Sequence, residues 1–85
     1  MDTAARIHAR LLERLQPTHL EVIDESAQHA GHAGASPDGQ GSHMRVRVAS
    51  PLFTALPRVQ RHRLVYDALQ DFIDQGLHAL AIELI

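Results

Sequence analysis

Along the opening segment DTAARIHARLLERLQP, the apolar residues Ala4, Ile7, Leu11, Leu12 and Leu15 recur at helical spacing, which gives a helix one buried stripe. Asp2 or Thr3 can cap its start, and Pro17 disfavours helical backbone at Gln16, so a helix is predicted over residues 3–15. The period then changes. In HLEVID, residues 19–24, Leu20 and Val22 alternate with His19 and Glu21, as in a half-buried strand. HMRVRVAS, residues 43–50, alternates again, with Met44, Val46 and Val48 facing in and His43, Arg45 and Arg47 facing out. This predicts a second strand, antiparallel to the first. Pro51 stops it, and a turn through residues 52–56 leads to Pro57, a favourable first helical residue. Val59, Val65, Leu69, Phe72 and Ile73 mark the buried side of a long helix over residues 57–75, with Gly76 as its left-handed cap. The closing run LHALAIELI is nearly all apolar and suits a central or well-covered strand.

The order helix, strand, strand, helix, strand predicts a two-layer α+β domain, a three-stranded mixed sheet with its helices on one face. A right-handed crossover through the long helix makes the last strand parallel to the second. At 85 residues, one domain spans residues 1–85 and its core is thin. Between the first two strands, residues 24–43 read DESAQHAGHAGASPDGQGSH and hold Gly31, Gly34, Gly39, Gly41 and Pro37. Burial cannot offset the backbone entropy of such a segment, which is expected to be a mobile surface loop.

Composition narrows the chemistry. The chain has no Cys, which excludes a disulfide framework and any thiolate site made by this chain alone. No apolar run approaches the roughly 18 residues of a membrane span, and the start lacks a signal-peptide layout. A cytoplasmic protein that does not meet membrane is expected. Net charge is −2, yet residues 43–85 carry Arg45, Arg47, Arg58, Arg61 and Arg63 against Asp67, Asp71, Asp74 and Glu83. The second half therefore holds the basic patch. Three histidines, His29, His32 and His43, fall in the soft segment.

Four pieces share one arrangement: L-x-V-x-D-E-S-x-x-H at Leu20–His29, S-H-x-x-V-x-V-x-S-x-x-F at Ser42–Phe53, R-H-R-x-V-Y at Arg61–Tyr66, and G-x-H-A-L-A at Gly76–Ala81. Together they resemble the BolA family, from about Leu20 to the last residue. Met44 stands where the family usually has Phe, and the segment between His29 and His43 is long for the family. The resemblance implies a fold similar to type II KH domains. It also implies a small partner of monothiol glutaredoxins that shares a 2Fe–2S cluster in a mixed complex, with sulfur from the glutaredoxin thiolate and a bound glutathione. The family histidine near the start of the last strand corresponds to His78, and the loop ligand after D-E-S to His29, with His32 and His43 as competitors. The isolated chain is expected to bind no cluster itself and to be a monomer or weak dimer.

The residues agree with part of this. With no thiolate in the chain, an iron–sulfur role must be shared with a sulfur-bearing partner, and imidazole can replace thiolate on one iron. Outside the resemblance, His78 reads as a hydrogen-bonding residue at a helix-to-strand junction, and His29 as a solvated loop residue. The alternative is a DNA-binding regulator. Arg58, Arg61 and Arg63 with His62 open the long helix, and Arg45 and Arg47 project from the second strand, so that one positive surface for phosphates is expected. The chain lacks an aromatic stacking platform. The arginines are therefore read first as a docking surface. Catalysis is not expected, since no nucleophile–base pair or phosphate loop is evident.

Overall fold

A computed structural model describes residues 2–26, 43–77 and 79–85. Helix α1 spans Thr3–Leu15, strand β1 His19–Asp24 and strand β2 His43–Ala49. A 3-10 turn over Pro51–Phe53 leads to helix α2, Arg58–Ala68, the short helix α3, Gln70–Asp74, and strand β3, Ala79–Leu84. The strands form one sheet in the order β1-β2-β3, with β1 antiparallel and β3 parallel to β2. This is the α+β architecture expected from the periodicities, reached with nearly the predicted boundaries.

Local chemistry explains those boundaries. The Asp2 carboxylate accepts the Ala5 amide at 2.8 Å, capping α1, and the helix ends where Gln16, just before Pro17, turns left-handed at φ 47°. Ser50 caps the 3-10 turn through Leu52. At the end of α3, the Gly76 amide bonds to the Ile73 carbonyl and the Leu77 amide to the Phe72 carbonyl. With Gly76 at φ 126°, these bonds make the left-handed helix cap anticipated for this glycine.

The core lies between the helices and one face of the sheet. Ile7, Leu11 and Leu15 of α1 meet Met44, Val46 and Val48 of β2 and Val65, Leu69 and Phe72 from the α2–α3 layer. Each fully buried aliphatic side chain contributes about 1.5–3 kcal/mol relative to leaving it in water. Leu20 and Val22 from β1 and Leu80, Ile82 and Leu84 from β3 complete the layer as partly buried neighbours.

Four expectations are corrected. Leu12 and Val59 are exposed, at 48% and 68%, because the stripes that reach the sheet run through Leu11 and Leu15 and through Val65. The long helix is two, since the ladder tightens at Leu69, whose amide bonds to the Tyr66 carbonyl three residues back. Finally, β3 is an edge strand: β2, already paired to β1, takes β3 on its other side and is itself the central strand. Residues 27–42, most of the predicted loop, lie outside the described residues. Its two ends are the last residues of β1 and the first of β2.

Candidate functional site

The D-E-S triplet builds a corner of the sheet. The Asp24 carboxylate accepts the Ser26 amide at 2.9 Å, bending the chain as it leaves β1. The fully buried Ser26 side chain accepts the His43 amide at 3.1 Å, and the Glu25 amide donates to the His43 carbonyl at 2.8 Å. The two ends of the intervening segment are thereby tied together. On its other side, His43 is in register with Ala79, the residue that follows position 78. Gly76 and Leu77 bring the chain from α3 to the same edge. The end of β1, the start of β2 and the start of β3 thus converge, with half-buried His43 between them.

His29, His32 and His78 lie outside the described residues. Among the described residues no group of three or more His, Asp or Glu side chains is placed to hold a metal. The convergence is one of backbone: both chain segments that carry the candidate ligands begin or end at this corner.

The structure does not bring the arginines onto one surface. Alternation along β2 buries Met44, Val46 and Val48 under the helices and sends Arg45 and Arg47 to the opposite, open face. There, Arg45 pairs with Glu25 at 3.0 Å and approaches Glu83 at 3.7 Å, while Arg47 pairs with Glu83 at 2.6 Å. The hydrogen bond that Arg45 donates to Glu25 is the main influence raising the Arg45 pKa, and the one that Arg47 donates to Glu83 raises that of Arg47. Reciprocally, the Arg47 hydrogen bond holds the Glu83 carboxyl below its ordinary range, partly opposed by desolvation. The expected union of Arg45 and Arg47 with the α2 arginines is therefore corrected on two counts, opposite faces and local neutralisation. Glu25 and Glu83 went unselected in the sequence, although the in–out alternation already separated strand two's arginines from the helical layer.

The remaining basic residues lie on and under α2. Arg61 is half-buried and its Nε donates to the Leu56 carbonyl at 2.7 Å, a packing role. Arg58 and Arg61 border a cleft of about 440 Å³ with Thr18, Ser50, Leu84 and Ile85. This cleft sits where β1 begins and β2 and β3 end, at the far end of the sheet from the His43 corner. Arg58, Val59, His62, Arg63, Tyr66 and Asp67 line a shallow groove of about 620 Å³ along the outer side of α2. His62 Nδ1 lies 3.0 Å from the Arg58 carbonyl, and so donates to it. At the other end of the groove, the Tyr66 hydroxyl donates to the Leu80 carbonyl at 3.4 Å. The groove therefore runs along α2 from its basic start to Tyr66, which reaches the start of β3. The apolar helical period assigns Val59 to the buried side and only packing shows that it faces outward, while Tyr66 stands in a sequence motif without a role of its own.

The family model described as BolA-like protein matches residues 11–85, which takes in both the corner and the groove. The chain belongs to the BolA-like family. An uncharacterised protein in the cobS 5′ region of a Sinorhizobium species is 49% identical over 98% of this chain and 89% of that protein. SufE-like protein 1, chloroplastic/mitochondrial, of Arabidopsis thaliana is 48% identical over 91% of this chain, which spans 22% of that longer protein. The solved BolA domain of SufE1 from Arabidopsis thaliana superposes with a TM-score of 0.83 at 43% identity, covering 95% of this chain and 87% of that one. The BolA-like match begins upstream of the D-E-S motif and includes the end of α1, which packs on the sheet. Among the described residues of this BolA-like chain, no helix is long and apolar enough to cross a membrane.

Proposed function

We propose that this protein is a non-enzymatic, cytoplasmic adaptor that binds a monothiol glutaredoxin and helps ligate a 2Fe–2S cluster carried by that partner and glutathione. It does so through His78, with His29 as the ligand from the segment between β1 and β2. The observation that carries this reading is the register of His43 with Ala79. It brings the end of the segment containing His29 and His32 next to the residue that follows His78.

The donor set fits such a shared site. This chain offers imidazole nitrogen and no sulfur, so the thiolates must come from elsewhere. Imidazole in place of thiolate lowers the cluster's negative charge and raises its reduction potential. Because a ligating imidazole must be unprotonated, such a site is also expected to loosen as pH falls through the histidine range. Docking is assigned to the α2 groove, whose exposed Val59 and Tyr66 give apolar area while Arg58 and Arg63 offer charge. The groove ends beside Leu80, close in sequence to His78, so a partner lying along it would bring its cargo toward the histidine corner.

The test is to mix the chain with a cluster-loaded monothiol glutaredoxin and record visible absorption and circular dichroism. The spectrum is expected to change, and His78→Ala to abolish the change while leaving the fold intact. A mutant spectrum identical to that of the wild-type mixture would remove His78 from the site. DNA binding remains the alternative role, restricted to the α2 arginines because Arg45 and Arg47 face the other way in ion pairs. It predicts a steep loss of duplex affinity with salt together with a sequence preference. Equal weak binding to all duplexes would reduce it to general charge attraction.

A further inference from the structure

The outer edge of β3 combines three properties that sheet edges normally avoid together. First, its main chain is open. The Ile85 amide bonds to the Val48 carbonyl, so in this parallel pairing the odd-numbered residues of β3 point their main-chain groups at β2. Leu80, Ile82 and Leu84 therefore direct theirs away from the sheet. Among the described residues the one bond to them is the 3.4 Å contact from the Tyr66 hydroxyl to the Leu80 carbonyl. Second, the strand itself carries none of the usual edge-blunting residues: Ala79–Leu84 contains no proline, glycine or cation. Third, its single charge, Glu83, is already held by Arg47 and Arg45 across the open face.

We propose that a second copy of this chain adds to β3 in antiparallel fashion, about a twofold axis at Ile82, to form one continuous six-stranded sheet. The sequence of the strand is complementary to itself in this register. Ile82 meets Ile82 of the other copy, and Leu80 meets Leu84, each pair exchanging both main-chain bonds and extending the apolar layer under the helices. On the open face, Glu83 meets Ala81, and Ala79 meets Ile85, which is 63% exposed in the single chain. No like charges stand opposite one another, and the most exposed apolar residue at this edge finds a small partner. A different extended peptide adding to the same edge would gain the main-chain bonds but has no reason to match this side-chain order.

Sedimentation of the full chain should show a reversible rise in mass, up to twofold, as concentration increases. Ile82→Pro removes an amide that the fold itself does not use and should abolish the rise, with circular dichroism showing that the sheet persists. Ile82→Cys supplies an independent readout in a chain that otherwise lacks cysteine. Directly paired antiparallel residues lie about 5.5 Å apart, within disulfide reach, so mild oxidation should give a covalent dimer. Ile23→Cys on the β1 edge should not. A wild type that stays monomeric overturns the proposal. So does a dimer that survives Ile82→Pro or crosslinks equally through Ile23→Cys. None of these outcomes involves a glutaredoxin or a cluster.

Discussion

The Ser26 side-chain oxygen accepts the His43 amide across the gap between β1 and β2, so a residue with no exposed surface closes the neck of the histidine-bearing segment. Ser26→Ala would take that acceptor away from the amide in a part-buried setting, at a cost of about 1–2 kcal/mol. For a domain of this size the thermal midpoint should fall by roughly 5–10 °C. Differential scanning calorimetry measures the shift. A change under about 2 °C would mean that water replaces the hydroxyl and that the neck is wetter than its burial implies.

Backbone strain offers a change in the other direction. Ala55 sits at φ 67° in the turn before α2, where a Cβ costs about 1 kcal/mol. Ala55→Gly is expected to stabilise the protein by up to about that amount. Gly76→Ala should destabilise it by a similar amount. At Gly76 a Cβ would meet nothing within 4 Å, so its φ of 126° is the whole cause. Urea unfolding of both variants reads the two signs, and a shared sign would contradict this account.

Acid should loosen the packing of α1 on α3. Arg10 clasps Asp71 with bonds of 2.7 and 2.9 Å and also donates to the Ala68 carbonyl, while its guanidinium lies 5.2 Å from the centre of the Phe72 ring. The Arg10 hydrogen bond holds the Asp71 carboxyl below its usual range, against a desolvation effect that raises it. Because the folded pKa is the lower one, the pair's contribution is complete above the unfolded pKa near 4 and is lost as pH falls through the folded value. Glu83 is depressed by Arg47 in the same sense. Asp71→Asn should therefore lower the unfolding midpoint at pH 7 and make little difference near pH 2. An equal loss at both pH values would show that the effect is packing rather than charge.

Elements and their order were legible because each has a clean period, and caps such as Asp2 and Gly76 have chemistry that works locally. What the chain did not disclose depends on neighbours. The apolar run of β3 suggested a covered strand, yet it lies at an edge, because which strand is central depends on the pairing of β2. Val59 matches the helical period, but only the placement of α2 on the sheet decides which flank of the stripe is buried. The arginines of β2 were visible as a pattern, whereas their glutamate partners come from residues 20 and 36 positions away. At the corner, the bond from the Ser26 amide to the Asp24 carboxylate is local chemistry, since short polar side chains bond to nearby amides. The register that brings His43 beside Ala79 is not.

The two faces of the sheet can be distinguished by partner binding. Val59 is 68% exposed in the α2 groove between Arg58 and His62, a position where an apolar side chain gains only when something covers it. If a glutaredoxin lies there, Val59→Glu loses the buried area and places a carboxylate in the interface, so its Kd should rise at least about tenfold, equivalent to roughly 1.4 kcal/mol. Arg47→Gln breaks an ion pair on the opposite face and should leave Kd within about twofold, even though the chain itself becomes less stable. Added salt should slow association by screening Arg58 and Arg63. Titration calorimetry of the three proteins against one glutaredoxin separates the cases. A weakened Arg47→Gln beside an unaffected Val59→Glu would move the partner to the open face of the sheet and leave the α2 groove without an occupant.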